Sequence, residues 1–155
     1  MATAHINIGS NIGDRLSLIG EAVAAVELVF NCTAICSNPI ESAPWGYDSP
    51  NGFINIGVNI EVGNMAPAEV LRLLLTAQAQ VDSSPHRNAD GGYIDRLIDI
   101  DLIAIDNVVI DTEELTLPHP RMHLREFVLR PMSELLPSWR HPLLHATAAE
   151  LLRQL

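Results

Sequence analysis

Asp99 and Asp101 stand two apart in the apolar run Leu97-Ile98-Asp99-Ile100-Asp101-Leu102-Ile103. Successive side chains of a strand point to opposite faces, so in a strand both carboxylates emerge on one side. Two carboxylates side by side repel unless a cation lies between them. Their hard oxygens suit Mg²⁺, which is commonly held by one or two carboxylates together with the phosphates of a substrate. Arg96 precedes the pair, and His119, Arg121 and Arg125 follow it closely. Guanidinium forks grip phosphate oxygens in bidentate fashion, so phosphoryl transfer is the chemistry to which these residue types point. An isolated Asp-x-Asp is more often the solvated face of a half-buried sheet, and isolated arginines more often pair weakly with surface acids. The balance changes because five of the nine basic residues, Arg87, Arg96, Arg121, Arg125 and Arg130, fall in the stretch that holds the aspartates.

Every basic residue is Arg and the chain has no Lys, which removes a Walker-type phosphate lysine and any Schiff-base lysine from consideration. The formal net charge of −10 argues against a general nucleic-acid binder, which needs a basic face to meet the phosphate backbone. His119 and His123 have the spacing of a helical zinc pair, but Pro118 and Pro120 flank His119 and disfavour a regular helix there. The turn Gly9-Ser10-Asn11-Ile12-Gly13-Asp14 has the look of a phosphate cradle at a helix start. Asp14 would cap that helix and repel a phosphate, so the turn reads as architectural, with Asn11 able to face a ligand. Trp45, Tyr47 and Phe53 lie near Asn55 along the chain. Aromatic faces with a carboxamide suit a flat heteroaromatic ligand such as a pterin or purine, although the same aromatics could simply cover the core.

The elements that must position these groups follow from periodicity. At 155 residues, 48% of them hydrophobic, the chain suits one domain, residues 1–155, with a real core. His5 to Ile8 alternates as a strand, and a helix capped by Asp14 carries Leu16, Ile19, Val23, Val26 and Leu28. Residues 32–41 and 53–61 read as strands around a long loop, 42–52. A second helix is expected over 64–81 with Pro67 near its start, then a polar loop, then the aspartate strand over 98–105. Val108 to Ile110 suggests a short edge strand, 125–136 a short helix interrupted by Pro131, and Thr147 the cap of a last helix. The order β-α-β-β-α-β predicts an α+β, ferredoxin-like split-βαβ antiparallel sheet. The added C-terminal helices would make it an α/β/α sandwich. Cys32 and Cys36, read as small core or half-buried residues, would sit about 13 Å apart on a strand, too far to bridge. That suits a reducing, cytoplasmic setting, and neither an export signal nor a membrane span is apparent.

Together, Gly9-Ser10-Asn11-Ile12-Gly13-Asp14-Arg15, Asp95-Arg96-Leu97-Ile98-Asp99-Ile100-Asp101, Leu117-Pro118-His119-Pro120-Arg121 and Arg125-Glu126-Phe127-Val128-Leu129 resemble the signature of the 6-hydroxymethyl-7,8-dihydropterin pyrophosphokinase family over essentially the whole chain. The resemblance implies transfer of pyrophosphate from ATP to a pterin alcohol in folate biosynthesis, on a ferredoxin-like fold. It also implies that Asp99 and Asp101 hold two Mg²⁺ ions. Arg96, Leu102, His119 and Arg125 would contact the nucleotide, and Ser42, Trp45, Phe53, Asn55 and Phe127 the pterin. The loop before the aspartates departs from the family pattern. There Arg87 would be the basic contact that remains, Tyr93 would replace a tryptophan, and Asp82 would stand for a glutamate ending the second helix. Residues 86–95, with Gly91 and Gly92, would close as a lid. A monomer binding ATP and a pterin, with no nucleic-acid or membrane partner, is expected. Two other classes share parts of this pattern: nucleotidyltransferase palm domains, and a small-molecule-sensing module in which the aspartates are merely exposed.

Overall fold

The computed structural model describes residues 2–43, 52–82 and 97–155. Five strands form its main sheet: β1 (Ala2–Ser10), β2 (Ile35–Cys36), β3 (Ile40–Ser42), β4 (Phe53–Gly63) and β5 (Asp99–Ile105). The order is β2-β4-β1-β5, with β3 also on β4, and every pairing is antiparallel. Two helices, α1 (Arg15–Phe30) and α2 (Pro67–Val81), pack against each other and against one face of this sheet. That is the ferredoxin-like arrangement expected from the element order. α3 (Glu126–Leu135) and α4 (Ala148–Arg153) pack together, and α3 lies against β4.

The alternation of the strands builds both layers. On β1, Ala4, Ile6 and Ile8 are buried in the larger core with Ile54, Ile56, Val58 and Ile60 of β4 and with Val26, Val70 and Leu74 of the helices. The intervening residues, His5, Asn7 and Gly9 on β1 and Asn55, Gly57 and Asn59 on β4, therefore share the opposite face. A smaller cluster, Ile103, Ala104, Met122, Val128, Leu129, Met132, Ala148 and Leu151, joins α3 and α4 to the end of β5. A β-bulge makes this possible. His5 pairs with Ala104 and Ile6 with Leu102, so the register slips at Ile103 and two successive residues serve the second core.

Local signals fix the helix ends. The Asp14 side chain accepts from Ser17 N at the start of α1, Pro67 opens α2, and Thr147 and Glu150 form a reciprocal capping box on α4. Several expectations need correction. The strand expected over 32–41 is two short pieces, because Pro39 has no N–H for the ladder and Ser37 instead exchanges bonds with Gly57. The strand expected over 108–110 is not an edge of the main sheet. Ile110–Asp111 (β6) pairs with Thr116–Leu117 (β7) in a separate hairpin. Cys36 is exposed rather than half-buried, both cysteines being free, and Leu16 and Leu28 of α1 are exposed as well. Pro131 does not interrupt α3, which runs through it.

Candidate active site

Three rungs cross the polar face of the sheet. Asn55, Gly9 and Asp99 share the first, Gly57, Asn7 and Asp101 the second, and Asn59, His5 and Ala104 the third. The second and third rungs lie under α3: His5 and Pro131 both crowd the space over Gly57. Asn55 and Asp99 lie two strand spacings apart, about 10 Å.

Asp99 and Asp101 are half-buried and line a 390 Å³ cleft together with Leu102, Gln78, His119 and Glu114. The peptide between the two aspartates is clamped from α2, because Gln78 Oε1 accepts from Ile100 N at 2.8 Å. His119 reaches the cleft because its N–H donates to Ile103 O at 2.8 Å, extending the edge of β5. Its Nδ1 accepts from Arg121 N at 3.1 Å, so the proton of the neutral ring resides on Nε2. Burial pushes its pKa down to about 4, the guanidiniums of Arg125 and Arg121 push the same way, and Asp99 opposes them. His119 is therefore a neutral hydrogen-bond donor at neutral pH.

Arg125 is buried between the short 3₁₀ turn Met122–Leu124 and α3, with its guanidinium 5.6 Å from the centre of the Phe127 ring. Phe127 sits in the first turn of α3, and Asn7 Nδ2 donates to its carbonyl at 2.9 Å. At the other end of the first rung, Asn55 is buried and its Nδ2 donates to Ser42 Oγ at 3.2 Å, while Ser42 pairs with Phe53 across β3 and β4. Gly9 gives Asn55 its place. A Cβ built on residue 9 would lie 2.4 Å from Asn55 Oδ1 and 3.4 Å from the Phe53 ring.

The structure thus gathers Asp99, Asp101, Leu102 and His119 in one cleft, links Arg125 to Phe127, and links Asn55 to Ser42 and Phe53. Asp82 is the buried C-cap of α2 and is not among the residues lining the cleft. Trp45, Arg87, Tyr93 and Arg96, and the lid expected over 86–95, lie outside the described residues. Sequence reasoning missed Gln78, Glu113 and Glu114 in the cleft and Asn7 beneath Phe127. The last carried no distinct signal, because Asn7 is an ordinary polar member of the apolar-polar alternation of β1 and only its pairing with Asp101 sets it apart.

The donor set fits a hard cation. Among the described residues no group of three or more His, Cys, Asp or Glu side chains forms a protein-only metal cage. Two carboxylates at the mouth of an open cleft suit an ion whose remaining ligands are water and phosphate oxygens.

A family model described as 7,8-dihydro-6-hydroxymethylpterin-pyrophosphokinase matches residues 5–137. The chain is 34% identical over 144 residues to the 2-amino-4-hydroxy-6-hydroxymethyldihydropteridine pyrophosphokinase of Porphyromonas gingivalis, covering 92% of this chain and 95% of that one. It is 35% identical over 133 residues to the Bacillus subtilis protein of the same name, covering 85% and 77%. Among solved structures, an HPPK-DHPS crystallised in complex with substrates superposes with a TM-score of 0.75 at 12% identity, over 99% of this chain and 45% of that one. This last likeness is one of fold, and the chain spans less than half of that longer protein.

Proposed function

The chain belongs to the 7,8-dihydro-6-hydroxymethylpterin-pyrophosphokinase family, and from that premise we propose how its residues carry out the reaction. It transfers pyrophosphate from ATP to 6-hydroxymethyl-7,8-dihydropterin, an activity of folate biosynthesis. The pterin hydroxymethyl oxygen forms a bond to the β-phosphorus, the bond from that phosphorus to the α-phosphate oxygen breaks, AMP leaves, and the alcohol proton is released to solvent. No side chain need act as nucleophile, so positioning and charge neutralisation carry the catalysis.

The observation that best supports this division of labour is the first rung of the sheet. A buried carboxamide, Asn55, and a carboxylate, Asp99, stand about 10 Å apart on one face, with only the hydrogen of Gly9 between them. Asn55 presents a donor and an acceptor to the amide-like edge of the pterin, with Ser42 and Trp45 beside it, and Phe53 and Phe127 supply ring faces. Asp99 and Asp101 would hold two Mg²⁺ ions, which when bound neutralise the triphosphate and lower the pKa of the attacking alcohol. His119 would donate from Nε2 to the nucleotide, Leu102 would pack on it, and Arg125, Arg96 and Arg87 would bind phosphate oxygens. Asp82 and Tyr93 would complete the nucleotide side. The protein would act as a cytoplasmic monomer, and its net charge of −10 disfavours a nucleic-acid partner.

The test is AMP formation from ATP and Mg²⁺, with the pterin present or omitted. Pterin-dependent AMP should appear and should fall by at least about a thousandfold in the Asp99→Ala, Asp101→Ala variant, the loss of several kcal/mol of charge stabilisation. ADP as product, or turnover indifferent to the two substitutions, would contradict the assignment.

A further inference from the structure

Pro131 sits inside α3, four residues after Phe127. In an α-helix the carbonyl of residue 127 accepts from the N–H of residue 131, and proline has none. The Phe127 carbonyl therefore loses its helical donor in the turn that carries the aromatic ring. Asn7 supplies the substitute, its Nδ2 lying 2.9 Å from Phe127 O. Asn7 is only 3% exposed and belongs to the rung between Gly57 and Asp101. Gly57 completes the set, because a Cβ there would lie 2.9 Å from Pro131 Cβ. Its missing side chain lets the proline ring settle on the sheet.

We infer that Asn7 is a positioning residue for the pterin site: from the strand between Asn55 and the aspartates it replaces the helix donor that Pro131 lacks, and so fixes the Phe127 ring over the sheet. This rests on the proposed role of Phe127 in stacking on the pterin. Asn7 itself need not touch substrate. Its effect would appear in pterin affinity far more than in the chemical step, since the aspartates remain where they are.

The experiment measures pterin Kd in the presence of a non-hydrolysable ATP analogue and Mg²⁺, with KM, kcat and thermal midpoint alongside. The variants are Asn7→Ala, Asn7→Asp, Pro131→Ala, the double Asn7→Ala, Pro131→Ala, and Phe127→Ala. Asn7→Ala and Asn7→Asp should each weaken pterin binding about tenfold, the loss of one partly buried hydrogen bond, with kcat within about twofold of the parent. The double variant regains an N–H at residue 131 and should recover most of that affinity. If a single Asn7 variant folds poorly, restoration of its thermal midpoint by Pro131→Ala supports the same assignment. Pterin affinity unchanged in both Asn7 variants while Phe127→Ala weakens it, or no recovery of affinity or stability in the double, would overturn the role given to Asn7. Unchanged affinity in Phe127→Ala would overturn it at a different point, by removing Phe127 from the pterin site.

Discussion

Gly9 shows how much a single residue can decide here. A side chain at that position must displace the Asn55 carboxamide, whose Oδ1 lies 2.4 Å from where the Cβ would be. The neighbouring atom is the end of a side chain rather than backbone, so Gly9→Ala should fold. The carboxamide would turn away from the position in which its Nδ2 holds Ser42 Oγ. The expected outcome is a rise of about tenfold or more in the KM for the pterin, one to two hydrogen bonds' worth, while the KM for ATP stays near the parent value. Steady-state kinetics varying each substrate in turn would check it, and equal rises in both KM values would argue against this picture. Asp99 and Asp101 were legible from sequence because period-two spacing alone puts them on one face. The need for glycine at position 9 was not, since it depends on a partner 46 positions along the chain.

At the scale of elements, β5 holds the two aspartates proposed to bind metal and, among the described residues, has a neighbouring strand of the main sheet on one side only. Its other side is held piecemeal, by Gln78 at Ile100 N and by His119 N at Ile103 O. Gln78→Leu removes the acceptor for an N–H lying between the two aspartates. We expect a loss of about 1–2 kcal/mol in stability, faster hydrogen exchange at the Ile100 amide, and a weaker apparent affinity for Mg²⁺, whereas Gln78→Glu keeps an acceptor and should retain the slow exchange. Denaturant midpoints and amide exchange by NMR read both variants, and exchange at Ile100 unaltered in Gln78→Leu would sink the idea. The strong local signals were readable without a structure: the caps at Asp14 and Thr147, the opening Pro67 and the long strands. The hairpin of β6 and β7 and the bulge at Ile103 were not, because each is decided by which strand lies alongside, whereas the split at Pro39 had a local signal, the proline itself, that the reading of one strand over 32–41 passed over. Gln78 escaped notice because a polar residue on a helix looks solvated until its neighbour is known.

Among the described residues, the molecule is built on its main sheet, whose apolar face packs under α1 and α2 and whose polar face is covered in part by α3. The covered part holds His5, fully buried, with Nδ1 2.7 Å from Asn59 Oδ1 and Nε2 without a hydrogen-bond partner among the described residues. Burial pushes its pKa down to about 4, and the Asn59 bond only partly offsets this. An unfolded chain would protonate this histidine near 6.5, so between 6.5 and 4 the unfolded state binds the extra proton. The stabilisation from a neutral His5 is complete above about 6.5 and is lost as the pH falls toward 4, on the order of 3 kcal/mol in total. His5→Phe should flatten that part of the stability profile, as measured by chemical denaturation across pH 4 to 7. An equally steep profile in the variant would place the acid sensitivity elsewhere. Across the same layer, Glu134 of α3 accepts from both Asn38 N and Asn38 Nδ2, at 2.9 and 3.0 Å. This clasp ties the arm leading to Ser42 to α3, the helix that carries Phe127 in its first turn. With the pterin held between Ser42 and Phe127 as proposed, the Asn38–Glu134 bonds would act as a calliper that sets the gap, and an inhibitor thicker than a planar ring system would have to strain them.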